Sequence, residues 1–306
     1  PILLLSFPRS GSSWIGSIVG AGEDIRYLRE PATTNYTLAK SKRISVFDQN
    51  SCENWAKYQT YINDSLLAKP NFTNAVIAYP EQWCSPKQLK KLLIKEVNPL
   101  IIEDYLNKKI KLVYLVRHPF SVAKSYQALN WRANDLFTKK FSQHTLSKIS
   151  LFAPNIEKEN IWRQMGYLQG WVEALVKNSI ASTKRPTLIT RYEDICQSPE
   201  EKFKKVFSFS NIDYSHATRE KLKNSLLRKS NVAPGDFSLT RKSIELAQVK
   251  IKPDDYDNYL QLMKFYQQAF IDFKRSKEIE ENTIKKISAS YEINSPLVII
   301  CTARSL

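Results

Sequence analysis

The sequence predicts an α/β fold, a central parallel sheet flanked by helices, and three observations carry that expectation. Residues 2–5 form an unbroken apolar run and residues 110–116 a nearly unbroken one, the pattern of strands covered on both faces. Both runs stop at a proline, Pro8 or Pro119, which has no N–H to give to a ladder, and each stop opens into a helical segment, at 12–19 and at 120–130. A third buried run at 185–191 is followed by a helix at 198–209 that opens on a Ser198 N-cap with Pro199 in its first turn.

The remaining elements frame these units. Residues 24–28 read as a short extended piece ended by Arg29-Glu30-Pro31, which a strand-loop-helix unit brings back toward the first turn. Residues 33–85 show little periodicity beyond a helix at 53–67, and their scattered aromatic side chains suit an acceptor pocket or core packing equally. Within 89–97, Leu92, Leu93 and Ile94 read as a buried strand from which Lys95 and Glu96 emerge, at the carboxyl end where ligand contacts gather in open α/β sheets. Helices are expected at 100–107, at 160–177 with Trp162, Leu168, Trp171 and Leu175 along one side, and at 253–273. The charged stretch 274–295 reads as a linker or an exposed helix.

A chain of 306 residues with 42% hydrophobic and 25% charged residues has the composition of a globular protein. Its net charge of +16 points to an acidic partner: a nucleotide, an anionic glycan, nucleic acid or a membrane surface. The lysine pairs are spread along the chain, so solvated helix faces account for most of that charge. Cys52, Cys84, Cys196 and Cys301 lack metal-ligand spacing and there are only three His, which speaks against metal chemistry. No apolar run reaches the roughly 18 residues that a membrane-spanning helix needs, and no secretory leader is visible. The compartment is left open: cytoplasmic for a bacterial chain, luminal if a leader has been removed. Oligomeric state is not legible.

The stretch Pro8-Arg9-Ser10-Gly11-Ser12-Ser13-Trp14 carries the first chemistry. Gly11 allows close backbone approach, Ser10, Ser12 and Ser13 offer hydroxyls beside the unpaired N–H groups of a helix start, and Arg9 adds a fork for two oxygens. A capped helix after a strand is the plainer alternative. The Lys of a nucleoside-triphosphate loop does not follow Gly11, and the dinucleotide pattern of three glycines is absent. A second junction repeats the logic: Arg117 leaves a strand and Ser125 lies eight residues on, along a helix begun by Pro119. That separation suits a guanidinium and a hydroxyl on one phosphate.

Together these stretches resemble the sulfotransferases that use 3′-phosphoadenosine 5′-phosphosulfate (PAPS). The first is similar to that family's 5′-phosphosulfate loop: Pro, Lys or Arg, Ser or Thr, Gly, two Ser or Thr, then Trp or Phe. The second is similar to its 3′-phosphate loop. The resemblance covers about residues 1–273 and implies a P-loop-like three-layer core with PAPS across the carboxyl ends of the strands. It implies that Arg9, with Ser10, Gly11, Ser12 and Ser13, holds the phosphosulfate, that Trp14 and Tyr192 border the adenine, and that Arg117 and Ser125 select the 3′-phosphate. Arg241 and Lys242 resemble the family's late basic element, although no Trp-Lys follows them. The product is 3′-phosphoadenosine 5′-phosphate (PAP), and no metal is required.

The acceptor is a free hydroxyl, for which the basic surroundings favour a carbohydrate that is already anionic; a lipid, a peptide tyrosine and a small alcohol stay open. Its proton needs a base. The His of the family's cytosolic branch has no counterpart, because Lys95-Glu96-Val97 stands in its place. The resemblance to carbohydrate-type and bacterial members, which carry a Glu shortly after the loop, makes Glu30 the favoured base, with Glu96 second and Lys95 beside it, and a surface ion pair is the plainer role for Glu30. A polyanion or nucleic-acid binding module on the same core is the alternative reading, although no nucleic-acid partner is expected. Finally, Pro296 to Ser305 aligns without gaps on Pro1 to Ser10, so residues 296–306 are expected to begin a second loop of the same kind or to form an edge strand.

Overall fold

The structure is a computed structural model that describes residues 1–22, 25–31, 55–67, 91–133, 141–227, 249 and 251–294. Its strands are β1 (Ile2–Ser6), β2 (Ile25–Arg29), β3 (Lys91–Glu96), β4 (Lys111–Val116) and β5 (Thr187–Arg191). They form one five-stranded sheet in the order β2-β3-β1-β4-β5, with every pairing parallel. The described helices, in chain order, are α1 (Ser12–Val19), α2 (Trp55–Leu66), α3 (Ile102–Leu106), α4 (Pro119–Ala128), α5 (Gln143–Phe152), α6 (Ile161–Ala181), α7 (Tyr192–Gln197), α8 (Pro199–Ser210), α9 (His216–Leu227) and α10 (Tyr256–Asn294).

β1 is the middle strand, so its side chains are buried in both directions. Ile2 and Leu4 join Leu93, Val113 and Leu115 under α1, α7, α8 and α9. Leu3 and Leu5 join Ile94, Leu112 and Tyr114 on the other face, covered by α2, α3 and α6. The unbroken apolar runs therefore mean what they predict, a three-layer α/β core. A third cluster, built from α4, α5, α6 and α10, packs outside the sheet around Trp162, Met165, Trp171 and Phe273.

Several elements differ from the expectation, among them β5, an edge strand with Ile189 47% exposed where a buried run is expected. The segment after β3 is a 3-10 turn, Pro99–Ile101, leading into the shorter α3; Asn98 caps it by accepting from the Leu100 N–H at 3.2 Å. α10 does not stop near residue 273 but continues to Asn294. Its charged part is held at helical spacing by Lys277 and Glu280, 3.1 Å apart, while Lys148 of α5 also pairs with Glu280. Among the described residues no helix is long and apolar enough to cross a membrane.

α10 lies against α6 at unusually close range. A Cβ on Gly166 would stand 2.2 Å from the Leu262 carbonyl oxygen, and one on Gly170 would stand 2.3 Å from that of Tyr266. Both obstacles are helix backbone, which cannot rotate away. We predict that Gly166→Ala and Gly170→Ala each cost roughly 1–3 kcal/mol in denaturant unfolding. Gly22→Ala, whose added carbon would meet only the flexible end of Ile25, should stay within about 0.5 kcal/mol.

Candidate active site

The site forms where the neighbouring strands β1 and β4 release the chain. After β1, Arg9 takes the left-handed region at φ 70° and Gly11 follows at φ 90°. Glycine is required at position 11 twice over, since a Cβ there would also lie 2.2 Å from the Tyr192 ring. Gly11 is the N-cap of α1 and no side chain caps that end; the Trp14 N–H donates to the Gly11 carbonyl oxygen at 3.1 Å, which leaves the N–H groups of Ser12 and Ser13 as the donors a helix start offers to an anion. The Ser6 hydroxyl donates to Ser12 Oγ at 2.8 Å and fixes it against the strand. Ser13 is half-buried. Ser10 lies beneath the loop, where it lines a cavity of about 20 Å³ with Arg117, Gln169 and Glu173.

The second junction locks onto the first. Arg9 Nε donates to Ser125 Oγ at 2.9 Å, and Arg117 Nη1 donates to the Arg9 carbonyl oxygen at 2.8 Å. The Arg117 guanidinium lies 4.7 Å from the centre of the Tyr192 ring, the same ring that fills the space beside Gly11. Arg117 Nε is buried, and among the described residues nothing accepts from it. A buried, always-charged donor of this kind fits an anionic oxygen. His118 starts α4 by accepting from the Phe120 N–H through Nδ1 at 3.2 Å, and its own backbone N–H donates to Glu193 Oε1 at 2.9 Å.

Glu30 and Lys95 come together, whereas Glu96 does not join them. The β2–β3 register sets Arg29 opposite Lys95, and the Glu30 N–H donates to the Lys95 carbonyl oxygen at 2.6 Å. The Lys95 ammonium then pairs with Glu30 Oε1, with Arg29 Nε 3.9 Å from the same oxygen. Lys95 is fully buried and Glu30 nearly so. Burial pulls the Lys95 ammonium below its ordinary value, and the Glu30 carboxylate works against that pull. Glu30 sits at φ 54°. Among the described residues, Arg9 and Glu30 are the positive-φ positions that are neither Gly nor Asn, and strain of this sort collects at functional sites. Glu96, next along the strand, turns to the opposite face, where the Tyr105 hydroxyl donates to it at 3.4 Å.

Trp14 stands in the core at 1% exposure. Its indole N–H donates to Ser225 Oγ at 3.0 Å, and its ring meets Phe203 and Tyr192 edge-on. Tyr192, also 1% exposed, is the wedge between the two loops. Arg241 and Lys242 lie outside the described residues, as do residues 296–306. Sequence reasoning passed over Trp131, whose ring centre lies 5.8 Å from the Arg9 guanidinium, and Tyr126 beneath it. Their only signal is that they follow Ser125 closely.

A parallel α/β sheet whose middle strand runs into an uncapped helix start has the form of a site for phosphate- or sulfate-bearing ligands at the carboxyl edge of its strands. The family can be stated: the sulfotransferase domain model matches residues 1–234, and the chain belongs to that family. No curated protein matches it. Among solved structures, the sulfotransferase domain from the curacin biosynthetic pathway is similar at 16% identity and TM-score 0.44, covering 85% of this chain and 96% of that one. A sulfotransferase from Alicyclobacillus acidocaldarius is similar at 11% identity and TM-score 0.43, covering 90% and 96%. A mouse sulfotransferase complexed with PAP is similar at 13% identity and TM-score 0.39, covering 92% and 88%.

Two measurements follow from this geometry. Glu30→Gln leaves a buried ammonium without its counter-charge, so it should cost on the order of 3–5 kcal/mol in urea unfolding; adding Lys95→Met should recover most of the loss. His118 is held below its ordinary 6.5, chiefly by burial and against the pull of Glu193. The unfolded chain therefore binds that proton more tightly, so the contribution is complete above about pH 6.5 and is lost as pH falls through the lowered folded value. His118→Asn keeps a capping acceptor without a titrating ring. It should flatten the fall in stability between about pH 7 and pH 5.

Proposed function

We propose that the chain transfers the sulfuryl group of PAPS to a hydroxyl on a carbohydrate, with residues 1–273 carrying the activity. The observation that supports this most is the direct locking of the two loops, Arg9 to Ser125 and Arg117 to the Arg9 carbonyl. It joins an anion-holding helix start to a buried guanidinium, as a ligand with phosphate groups at two ends requires. PAPS supplies a sulfuryl group on a phosphate leaving group: the bond from sulfur to the bridging oxygen breaks, a bond to the acceptor oxygen forms, and the hydroxyl proton must go elsewhere.

In this reading the α1 N-terminus and Arg9 hold the 5′ end, and Arg9 offers fixed positive charge where the bridging oxygen becomes anionic. Arg does not give up a proton at neutral pH, so its help is electrostatic. Arg117 and Ser125 hold the 3′-phosphate, with Arg241 and Lys242 assigned to the same end. Glu30 receives the acceptor proton, and Lys95 keeps its carboxylate in place. Glu96, turned to the other face, is the weaker candidate. The +16 net charge favours an acceptor that is itself anionic.

Calorimetry with PAP and ADP tests the donor assignment. PAP should bind at least about tenfold more tightly, a difference of about 1.4 kcal/mol, and Arg117→Ala should erase the preference. Equal affinity for the two nucleotides would overturn the reading. For the base, a folded Glu30→Gln/Lys95→Met double variant should bind PAP normally and fail to turn over labelled PAPS; near-normal turnover removes Glu30 from that role.

A further inference from the structure

We infer that the amino edge of the sheet, the end away from the two anion loops, holds a second ligand site, which takes a small amphiphilic anion: an aliphatic tail headed by one carboxylate, phosphate or sulfate. The inference goes beyond the sulfuryl-transfer reading and does not depend on it. Because every strand pairing is parallel, the strands all begin on one edge, and a cavity of about 600 Å³ opens there. That is the size of a small-molecule site. Its floor is Ile2, Leu92 and Ile110, buried where β1, β3 and β4 begin, and Leu66 and Leu67 at the end of α2 form one wall. Leu67, 66% exposed, stands at the mouth. Among the described residues no aromatic ring lines the cavity, so a base or other flat ligand has nothing to stack on. An aliphatic tail needs no such platform.

The charge around this floor has one sign. Lys91 and Lys111 open β3 and β4, Lys109 and Arg185 lie two residues ahead of β4 and β5, and all four line the cavity. Among the described residues no carboxylate lines it. Like charges gathered at a low-dielectric surface focus their field on an arriving anion. Two of the cations are anchored, since Lys111 Nζ donates to the Phe209 carbonyl oxygen at 2.9 Å and the Lys91 ammonium donates to that of Asn211. Each keeps donors to spare. Arg185 Nε donates to the Leu106 carbonyl oxygen at 3.0 Å, which leaves its terminal nitrogens for a planar or tetrahedral oxyanion head. Ser210, between the two carbonyls that the lysines grip, supplies the independent observation. It lines the same cavity and is 4% exposed, and its hydroxyl has no partner among the described residues. A buried hydroxyl without a partner is costly, and an oxygen of the anionic head removes that cost.

The probes are octanoate, octyl sulfate, 1-octanol and inorganic sulfate, titrated by calorimetry into the full chain with and without saturating PAP. At least one alkyl anion should bind, one per chain and equally well in both conditions. With PAP present, 1-octanol and inorganic sulfate should each bind at least about tenfold more weakly, since each lacks half of the ligand. Lys109→Gln with Arg185→Gln should weaken the alkyl anion roughly tenfold, whereas Arg185→Lys alone, which keeps the charge, should retain most of the affinity. Leu67→Glu, which sets a carboxylate at the exposed mouth, should weaken the anions more than it weakens 1-octanol. Ser210→Ala should weaken the alkyl anion a few-fold and leave urea unfolding of the free chain no less stable, because the hydroxyl it removes has no partner to lose. PAP affinity should be unchanged in every variant. The site is overturned if neither alkyl anion binds the PAP-saturated chain, if 1-octanol binds as tightly as the anions, if the Lys109 and Arg185 substitutions leave binding intact, or if PAP displaces the probe.

Discussion

A left-handed arginine turns its carbonyl oxygen away from any regular ladder, and a backbone oxygen so placed must find a donor. In this chain the donor is Arg117, at 2.8 Å from the Arg9 oxygen, and the rest of the site depends on that contact. It fixes the peptide before Ser10, hence the direction from which α1 begins. It also holds the Arg117 guanidinium 4.7 Å from the centre of the Tyr192 ring, a ring that allows nothing larger than glycine at position 11. The loop is thus shaped before any ligand arrives. Donors fixed in advance spend no reorganisation when charge develops, which is the condition for electrostatic help in group transfer.

What the sequence made legible and what it hid divide along a physical line. β1 and its loop could be read because the information is local: an apolar run, a proline, a glycine, serines. The Arg117–Ser125 junction was legible for the same reason. Their mutual grip was not, since Arg9 and Ser125 are 116 residues apart and only the parallel pairing of β1 with β4 brings them together. Glu30 with Lys95 is a similar case, set by strand register, and the period-two alternation that buries Lys95 on one face sends Glu96 to the other. Trp14 was visible as part of a motif, yet its burial depends on α8 and α9, which lie some two hundred residues later. The charged stretch of α10 read equally as a linker or an exposed helix, because a group it pairs with, Lys148, belongs to another helix.

The buried Lys95–Glu30 pair gives Glu30 two demands to meet at once. As an ion-pair partner it must stay ionised to neutralise a fully buried ammonium; as a proposed proton acceptor it must be ionised at the start of each turnover. The two demands agree, because both call for a carboxylate. They also mean that a loss of activity in a Glu30 variant carries no weight until folding has been measured.

The family match ends at residue 234, but the packing does not. Leu262 and Ala269 of α10 are fully buried and Phe273 nearly so, and the two glycines of α6 admit that helix to backbone contact. A fragment cut where the family resemblance stops would keep both anion loops and lose the wall against which α6 rests. The apolar side of α6, with Trp171 and Leu168, would then face water, inviting association with whatever apolar surface it met. The boundary that matters for handling this protein is therefore drawn by side-chain contacts, well beyond the limit at which sequence kinship fades.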